Sequence, residues 1–216
     1  MKRVGIILSG CGVRDGSEIH EATLALLWTV KNGCEPVFMA PDDVQKDVVN
    51  HRTNEATGEK RNCLTEAARI ARGKIRDIAD VHDHDYDAIL MPGGSGAVKN
   101  LLTADGAKAK PEVVRVLREA HRGGKPIGAI CIAPVVVARA FKEIGKSVTL
   151  TIGNDAATAE VIRDCGHEHV NCKVDDVVID RENKIVSTPA YMLARNIGEV
   201  EAGVSKLVSS VVKMMG

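Results

Sequence analysis

Aromatic side chains are nearly missing from this chain: they make up 2% of it, as Trp28, Phe38, Tyr86, Phe141 and Tyr191. A core with so few rings must be aliphatic, and stacking platforms for unpaired bases are largely ruled out. An excess of either charge is missing too, since Lys+Arg and Asp+Glu both total 29 and the formal net charge is +0. No basic face is implied, so no nucleic-acid partner is expected. No apolar run approaches the ~18 residues of a membrane span, so no membrane partner is expected either. The six cysteines (Cys11, Cys34, Cys63, Cys131, Cys165, Cys172) contain no CxxC pair. With no signal-like segment before the first strand, this favours free thiols in a reducing compartment over a disulfide framework. The expected location is the cytoplasm, or the mitochondrial matrix if a eukaryotic transit peptide has been removed. At 216 residues the chain suits one domain, 1–216, with a full core.

What is present is an alternation of short apolar runs with helical patterns, the signature of an α/β fold: a doubly wound, mostly parallel sheet with helices on both faces. Residues 4–9 read as the first strand. A glycine-rich loop and a helix over 18–32 follow, with Ser17 as its N-cap and Gly33 just past its end. Residues 36–40 read as a second strand. The stretch 41–61 is long, polar and without periodicity, and so is expected at the mouth of a site or at a subunit contact. Further on come a helix over 62–72, a strand over 87–91, a helix over 111–122 with Pro111 in its first turn, and a strand ending at Ile130. A helix to about residue 144, a strand over 148–152, a helix over 155–165 and paired strands over 177–180 and 184–187 complete the sheet. A last helix is expected from about residue 190.

Ligands of doubly wound sheets sit at the carboxyl ends of the strands. Three such ends carry chemistry. The apolar run Ile127-Gly128-Ala129-Ile130 ends on Cys131 and passes at once into helix-forming sequence from Ala133. That is a nucleophile elbow with Cys in place of Ser, although a buried structural thiol has the same pattern. A helix N-terminus beside the sulfur favours the thiolate. The strand 87–91 runs into Pro92-Gly93-Gly94-Ser95-Gly96, a turn in which the amides of Gly94 and Ile132 can face one point as an oxyanion hole. The same turn does not match GxGxxG, so dinucleotide binding is not supported. The first strand leads to Glu18 and Glu21, three apart in a helix first turn. Their default task is to complement the helix dipole, but a carboxyl beside a thiolate has a raised pKa suited to proton transfer. His82 and His84 in a polar loop, and the Cys165/His167/His169/Cys172 group, lack metal-ligand spacing, so no metal is expected.

Taken together, Ser9-Gly10-Cys11-Gly12-Val13, the run from Asp15 to Ala22, Pro92-Gly93-Gly94, Lys99-Asn100-Leu101, Cys131-Ile132-Ala133-Pro134 and Thr188-Pro189-Ala190-Tyr191-Met192 resemble the PfpI-type branch of the class I glutamine amidotransferase-like superfamily. This branch holds proteases, chaperones and cofactor-independent glyoxalases, and the likeness is greatest to its ElbB-type, isoprenoid-biosynthesis group. The resemblance runs from the first strand to the last helix. It implies a flavodoxin-like sheet, a reactive Cys131 and a homodimer, to which Trp28 on the first helix adds modest support. Counting back from the glycine that ends the first helix, it selects Glu21 over Glu18 as the carboxylate partner. The chain departs from relatives in carrying Ile132 where many have a His after the cysteine. Asn154 lies near the place where some relatives supply a His, and neither a His nor a Glu follows the late strand at 187–191. His20, Lys99 and Asn100 are possible supporting groups, each also readable as ordinary helix surface. The activity implied is conversion of small 2-oxoaldehydes to 2-hydroxy acids through a Cys131 hemithioacetal, with no cofactor and slow turnover. A redox- or carbonyl-sensing protein of the same fold is the alternative.

Overall fold

The computed structural model describes residues 1–216. Its main sheet is built from β1 (Arg3–Ile7), β2 (Glu35–Ala40), β5 (Ile75–Asp77), β6 (Ala88–Met91), β7 (Ile127–Ile130), β10 (Val178–Asp180) and β11 (Ile185–Thr188). Two small pairs lie outside it: β3 (Val49–Asn50) with β4 (Glu55–Ala56), and β8 (Thr149–Leu150) with β9 (Glu168–His169). The helices are α1 (Ile19–Lys31), α2 (Cys63–Ile70), α3 (Ser95–Asn100), α4 (Pro111–Arg122), α5 (Ala133–Ile144), α6 (Ala156–Asp164) and α7 (Ile197–Met214). Across the sheet the order is β10-β11-β7-β6-β1-β2-β5, and every pairing is parallel except β10 with β11.

The strands are apolar on both faces because both faces are covered. Alternation along each strand divides its side chains between two cores. Ile89 and Met91 of β6 pack with α4 and α5, through Val113, Leu117, Val136 and Phe141. Ala88 and Leu90 of the same strand pack on the other face with α1 and α7, through Ala22, Ala25, Val204, Leu207 and Val208. The helix α7 lies along α1, where Trp28 is half-buried and its indole N–H donates to Glu201 at 3.0 Å. Trp28 is thus tied to α7, with part of its ring left at the surface.

Four local departures from the sequence pattern have physical causes. The cap of α1 is Glu18, whose carboxylate accepts from the Glu21 amide, and not Ser17. The Ser17 hydroxyl instead accepts from the Ser9 amide at the end of β1. The run 148–152 forms only the two-residue β8, which pairs with β9 and never enters the main sheet. The last helix starts at Ile197, capped by Asn196, because Ala190 takes φ 43° and the chain first makes a 3-10 turn at Ala190–Met192. The stretch 41–61 contains the β3–β4 hairpin and lies against the loop after β1, with the Val49 amide donating to Asp15 at 2.7 Å and Gln45 Nε2 to the Asp15 carbonyl at 3.2 Å.

Candidate active site

The direction of winding reverses between β1 and β6, and a crevice opens there at the carboxyl ends of the strands. The Pro92-Gly93-Gly94 turn after β6 meets the start of α1, with the Glu18 amide donating to the Gly93 carbonyl at 3.0 Å. Beside them, β7 ends and Cys131 takes φ 61°. A left-handed conformation at a residue with a Cβ costs about 1–2 kcal/mol. It is held by α5 starting two residues later and by the Cys131 amide donating to Thr188 of β11 at 2.9 Å. The strained corner turns the sulfur toward the α1 side of the sheet.

Around that sulfur the backbone supplies donors. The amides of Gly94 and Ile132 lie close enough to pull the thiol pKa down. The two groups expected to form an oxyanion hole are thus both neighbours of Cys131. Gly94 has φ 90°, a conformation open to glycine at little cost. Gly93 is needed for a different reason: a Cβ there would stand 2.6 Å from the Cys131 Cβ and 2.9 Å from Glu21 Oε2.

Glu21 is fully buried and its carboxyl lies beside Cys131, the two coming within 3 Å of one point at Gly93. Its Oε2 accepts from the Gly93 amide at 2.9 Å and its Oε1 from the Tyr191 amide at 3.3 Å. Burial, then the charge of Glu18, lift its pKa to about 8, against the pull of the Gly93 amide, the Cys131 thiol and the Tyr191 amide. Burial also pushes the Cys131 thiol well above its ordinary value, and the Glu21 charge adds to this. The sequence pattern pointed to a favoured thiolate; in the folded protein the donors are present but the sulfur is only 7% exposed. The two groups titrate as a pair. When Glu21 is protonated, its repulsion of the thiolate disappears and its O–H can donate to sulfur.

The remaining candidates fall into separate places. Glu18 touches the cluster through its charge and its cap bond to the Glu21 amide at 2.8 Å, with no bond to the thiol. His20 is exposed at the rim, its Nδ1 2.7 Å from the Tyr191 hydroxyl. Lys99 is paired with Asp47 at 3.0 Å and donates to the Arg14 carbonyl. Asn100 is buried: its Nδ2 donates to the carbonyls of Ser9 and Asp15 at 2.8 Å, and its Oδ1 accepts from Lys46. Both residues fasten the loop after β1 and the 41–61 stretch. Asn154 is exposed in the turn after β8, and no hydrogen bond joins it to the Cys131 cluster. His167 and His169 bond separately to the Ala138 carbonyl and the Ile152 amide, and no group of three or more His, Cys, Asp or Glu side chains is placed to hold a metal ion. All six cysteines are free.

Two contributors escaped the sequence reading. Gly93 was visible only as part of a glycine turn, with no sign that its missing side chain makes room for the thiol. Tyr191 brings a backbone amide to Glu21 from the end of β11, a fourth strand end whose motif carries the family resemblance but shows no reactive side chain in the sequence.

This fold and this corner define a class. The chain belongs to the DJ-1/PfpI family, whose model matches residues 15–190. It is 42% identical to the human "Glutamine amidotransferase-like class 1 domain-containing protein 3, mitochondrial", with 99% of this chain and 84% of that protein aligned. The rat "ES1 protein homolog, mitochondrial" is 41% identical over the same shares. The crystal structure of an isoprenoid biosynthesis protein with an amidotransferase-like domain from Ehrlichia chaffeensis superposes with a TM-score of 0.94 at 38% identity, covering 100% of both chains. Drosophila DJ-1beta, at 18% identity and a TM-score of 0.56, shares the fold.

Proposed function

We propose that this protein is a cofactor-independent glyoxalase-type enzyme acting on small 2-oxoaldehydes such as glyoxal and methylglyoxal. The observation that carries this is the fully buried Glu21 carboxyl, with its pKa lifted to about 8, standing beside an elbow cysteine. A proton carrier with a pKa near the operating pH is what an internal proton transfer requires. Glu21 takes the thiol proton as the sulfur adds to the aldehyde carbon, and returns it to the new alkoxide to give the hemithioacetal. Glu21 then removes the C1 hydrogen as a proton, leaving an enediolate, and delivers it to C2, while the C1 hydroxyl proton passes to the C2 oxygen as the C1 carbonyl forms. The product is a thioester of the 2-hydroxy acid, which water cleaves to lactate or glycolate, restoring the thiol. The Gly94 and Ile132 amides, neighbours of the sulfur, stabilise the oxygen that becomes negative next to it. No net oxidation takes place; one water is added overall.

Burial of Cys131 favours a second reading, a carbonyl or redox sensor that keeps the elbow without useful turnover. The test is to incubate the purified protein with excess methylglyoxal and assay D- and L-lactate. The glyoxalase reading requires many equivalents of lactate per chain; consumption of a single equivalent of aldehyde with no lactate would leave the sensor. A glutaminase role has less support, since Thr188-Pro189-Ala190-Tyr191 offers neither the His nor the Glu of a Cys–His–Glu triad. The protein is further proposed to be a homodimer. The outer face of α1 exposes Ile19, Leu27 and Val30, and a second copy would cover it. Light scattering should give twice the mass of one chain at micromolar concentration, and a monomer mass would reject the dimer.

A further inference from the structure

Two backbone donors anchor the Glu21 carboxyl, the Gly93 amide on Oε2 and the Tyr191 amide on Oε1. The second comes from a strained corner. Tyr191 follows Ala190, which is fully buried and takes φ 43°. Of the five non-glycine residues with positive φ, only Cys131 and Ala190 are buried; Asn54, Arg72 and Lys184 lie in exposed or half-buried turns. The two buried corners are neighbours. Thr188 pairs with Ile130 across β11 and β7, and the Cys131 amide donates to the Thr188 carbonyl at 2.9 Å. Left-handed backbone at a residue with a Cβ persists only where its surroundings hold it.

Few bonds do the holding. Inside the turn, the amides of Leu193 and Ala194 donate to the Ala190 carbonyl at 3.0 and 2.8 Å. Toward α1 the turn makes two hydrogen bonds, both from Tyr191 and both to adjacent residues of the helix. Its amide reaches Glu21 Oε1 at 3.3 Å, and its hydroxyl pairs with His20 Nδ1 at 2.7 Å. A histidine–tyrosine contact at a protein surface is commonly plain packing. Here both members are tied to the anchored carboxyl, since His20 directly precedes Glu21 and Tyr191 supplies the amide itself. Burial, then the charges of Glu18 and Glu21, lift the Tyr191 phenol pKa above its ordinary value, so the O–H keeps its proton at neutral pH. A phenol can donate to a neutral imidazole and accept from a charged one, so the bond survives in both states of His20.

We infer that Tyr191 and His20 are positioning residues for Glu21, an inference that rests on the reading of Glu21 as proton carrier. The phenol–imidazole bond holds the strained 190–192 turn against α1, so that the Tyr191 amide fixes one carboxyl oxygen while the Gly93 amide fixes the other. With one lone pair on each oxygen taken by a backbone N–H, the carboxyl plane is set, and the remaining lone pairs are left for the proton in transit.

The first experiment needs no turnover. In Cys131→Ser protein carrying ¹³C at the glutamate carboxyls, the Glu21 resonance, assigned by its loss in the Glu21→Gln double variant, is titrated with pH. Adding Tyr191→Phe or His20→Ala should raise the Glu21 midpoint by about half a pH unit, because an amide that favours the carboxylate is loosened. His20→Asn, which places a hydrogen-bonding group near the Nδ1 position, should restore it. The second experiment is steady-state lactate formation from methylglyoxal with Cys131 intact. Tyr191→Phe and His20→Ala should each lower kcat about tenfold with KM unchanged, and the two together should cost no more than the worse of them, since one bond is removed. His20→Asn should recover most of the rate. Unshifted Glu21 midpoints or additive losses in the double variant would overturn the inference. So would a lowered midpoint, which would mean that water reaches Glu21 and the pair is a cover. A His20→Asn protein as slow as His20→Ala would also overturn it, by making His20 itself a proton carrier. If the wild type forms no lactate, the glyoxalase reading fails, and the carboxyl titration alone decides the role of the pair.

Discussion

Cys131 and Cys63 are both buried thiols at the start of a helix, and only Cys131 has a fully buried carboxyl beside it. Cys63 opens α2, is 1% exposed, and burial pushes its pKa up to about 12. Cys131 precedes α5, is 7% exposed, and is also raised by burial. Burial and a helix N-terminus are thus common to both. Of the two, only Cys131 stands at a left-handed corner, has backbone amides near enough to pull its pKa down, and neighbours a carboxyl whose own pKa is displaced toward neutrality. A helix start alone does not offset burial of a sulfur, since both thiols are pushed up; on the proposed function it is the proton acceptor buried beside Cys131 that sets it apart.

The strongest way to break this comparison is to exchange sulfur for oxygen at each place. Cys131→Ser should lower lactate production by about 10⁴-fold or more, whereas Cys63→Ser should leave the rate unchanged and cost about 1 kcal/mol of stability. Equal losses in the two variants would remove the distinction. Glu21→Gln should follow, with turnover reduced by about 10²–10⁴-fold, because the amide cannot carry a proton. The same variant has a signature in stability. The folded pKa of Glu21, about 8, lies above its unfolded value, so its contribution is complete below about pH 4.5 and is lost as pH rises toward 8. The unfolding free energy of the wild type from urea titration should fall across that window relative to Glu21→Gln, by an amount on the order of a few kcal/mol. Parallel pH profiles would contradict a raised Glu21 pKa.

Gly93→Ala sharpens the comparison by disturbing the fit at one corner. The added methyl would meet the Cys131 Cβ at 2.6 Å and the Ile130 carbonyl oxygen at 2.9 Å, and a displacement of this kind should reduce turnover about 100-fold and cost roughly 1–3 kcal/mol of stability. No such effect is expected of a substitution beside Cys63. The smallest effect concerns the stretch 41–61, which braces the loop after β1 through Asp15. Deleting about ten of its residues should alter turnover or solution mass several-fold with little change in far-UV circular dichroism. Wild-type rate and mass in the shortened protein would detach this stretch from the site.

Much of the Cys131 side of the comparison was legible in the chain. The apolar run into Cys131 followed by small residues and a helix gives a strand, a tight corner and a helix wherever it occurs, and the structure places β7 and α5 there. Pro111 and the amphipathic pattern after it mark α4 to the residue. The choice of Glu21 over Glu18 came from resemblance, since both lie on one face of the first turn. What separates them is packing over long distances: the Gly93 amide and the Tyr191 amide, 72 and 170 residues away, close over Glu21. Local pattern also fails where a neighbour overrides it. Residues 190–196 contain good helix formers, yet Ala190 must turn left-handed beneath the site and α7 waits until Ile197. Val148 and Leu150 have a strand's alternation, but β10 and β11 already occupy the sheet edge, and β8 pairs with β9 instead.

The central claim is that Glu21 and Cys131 hold their protons jointly. Its most direct test is the pH profile of Cys131 alkylation by iodoacetamide, followed by peptide mass spectrometry with Cys63 as an internal reference, in the wild type and in Glu21→Gln. With the Glu21 charge removed, the Cys131 midpoint should move to lower pH in Glu21→Gln, the sulfur should remain reactive, and Cys63 should stay slow and unchanged in both proteins. Superimposable Cys131 profiles, or equal rates at Cys131 and Cys63, would contradict the coupling and return Cys131 to the status of a buried structural thiol.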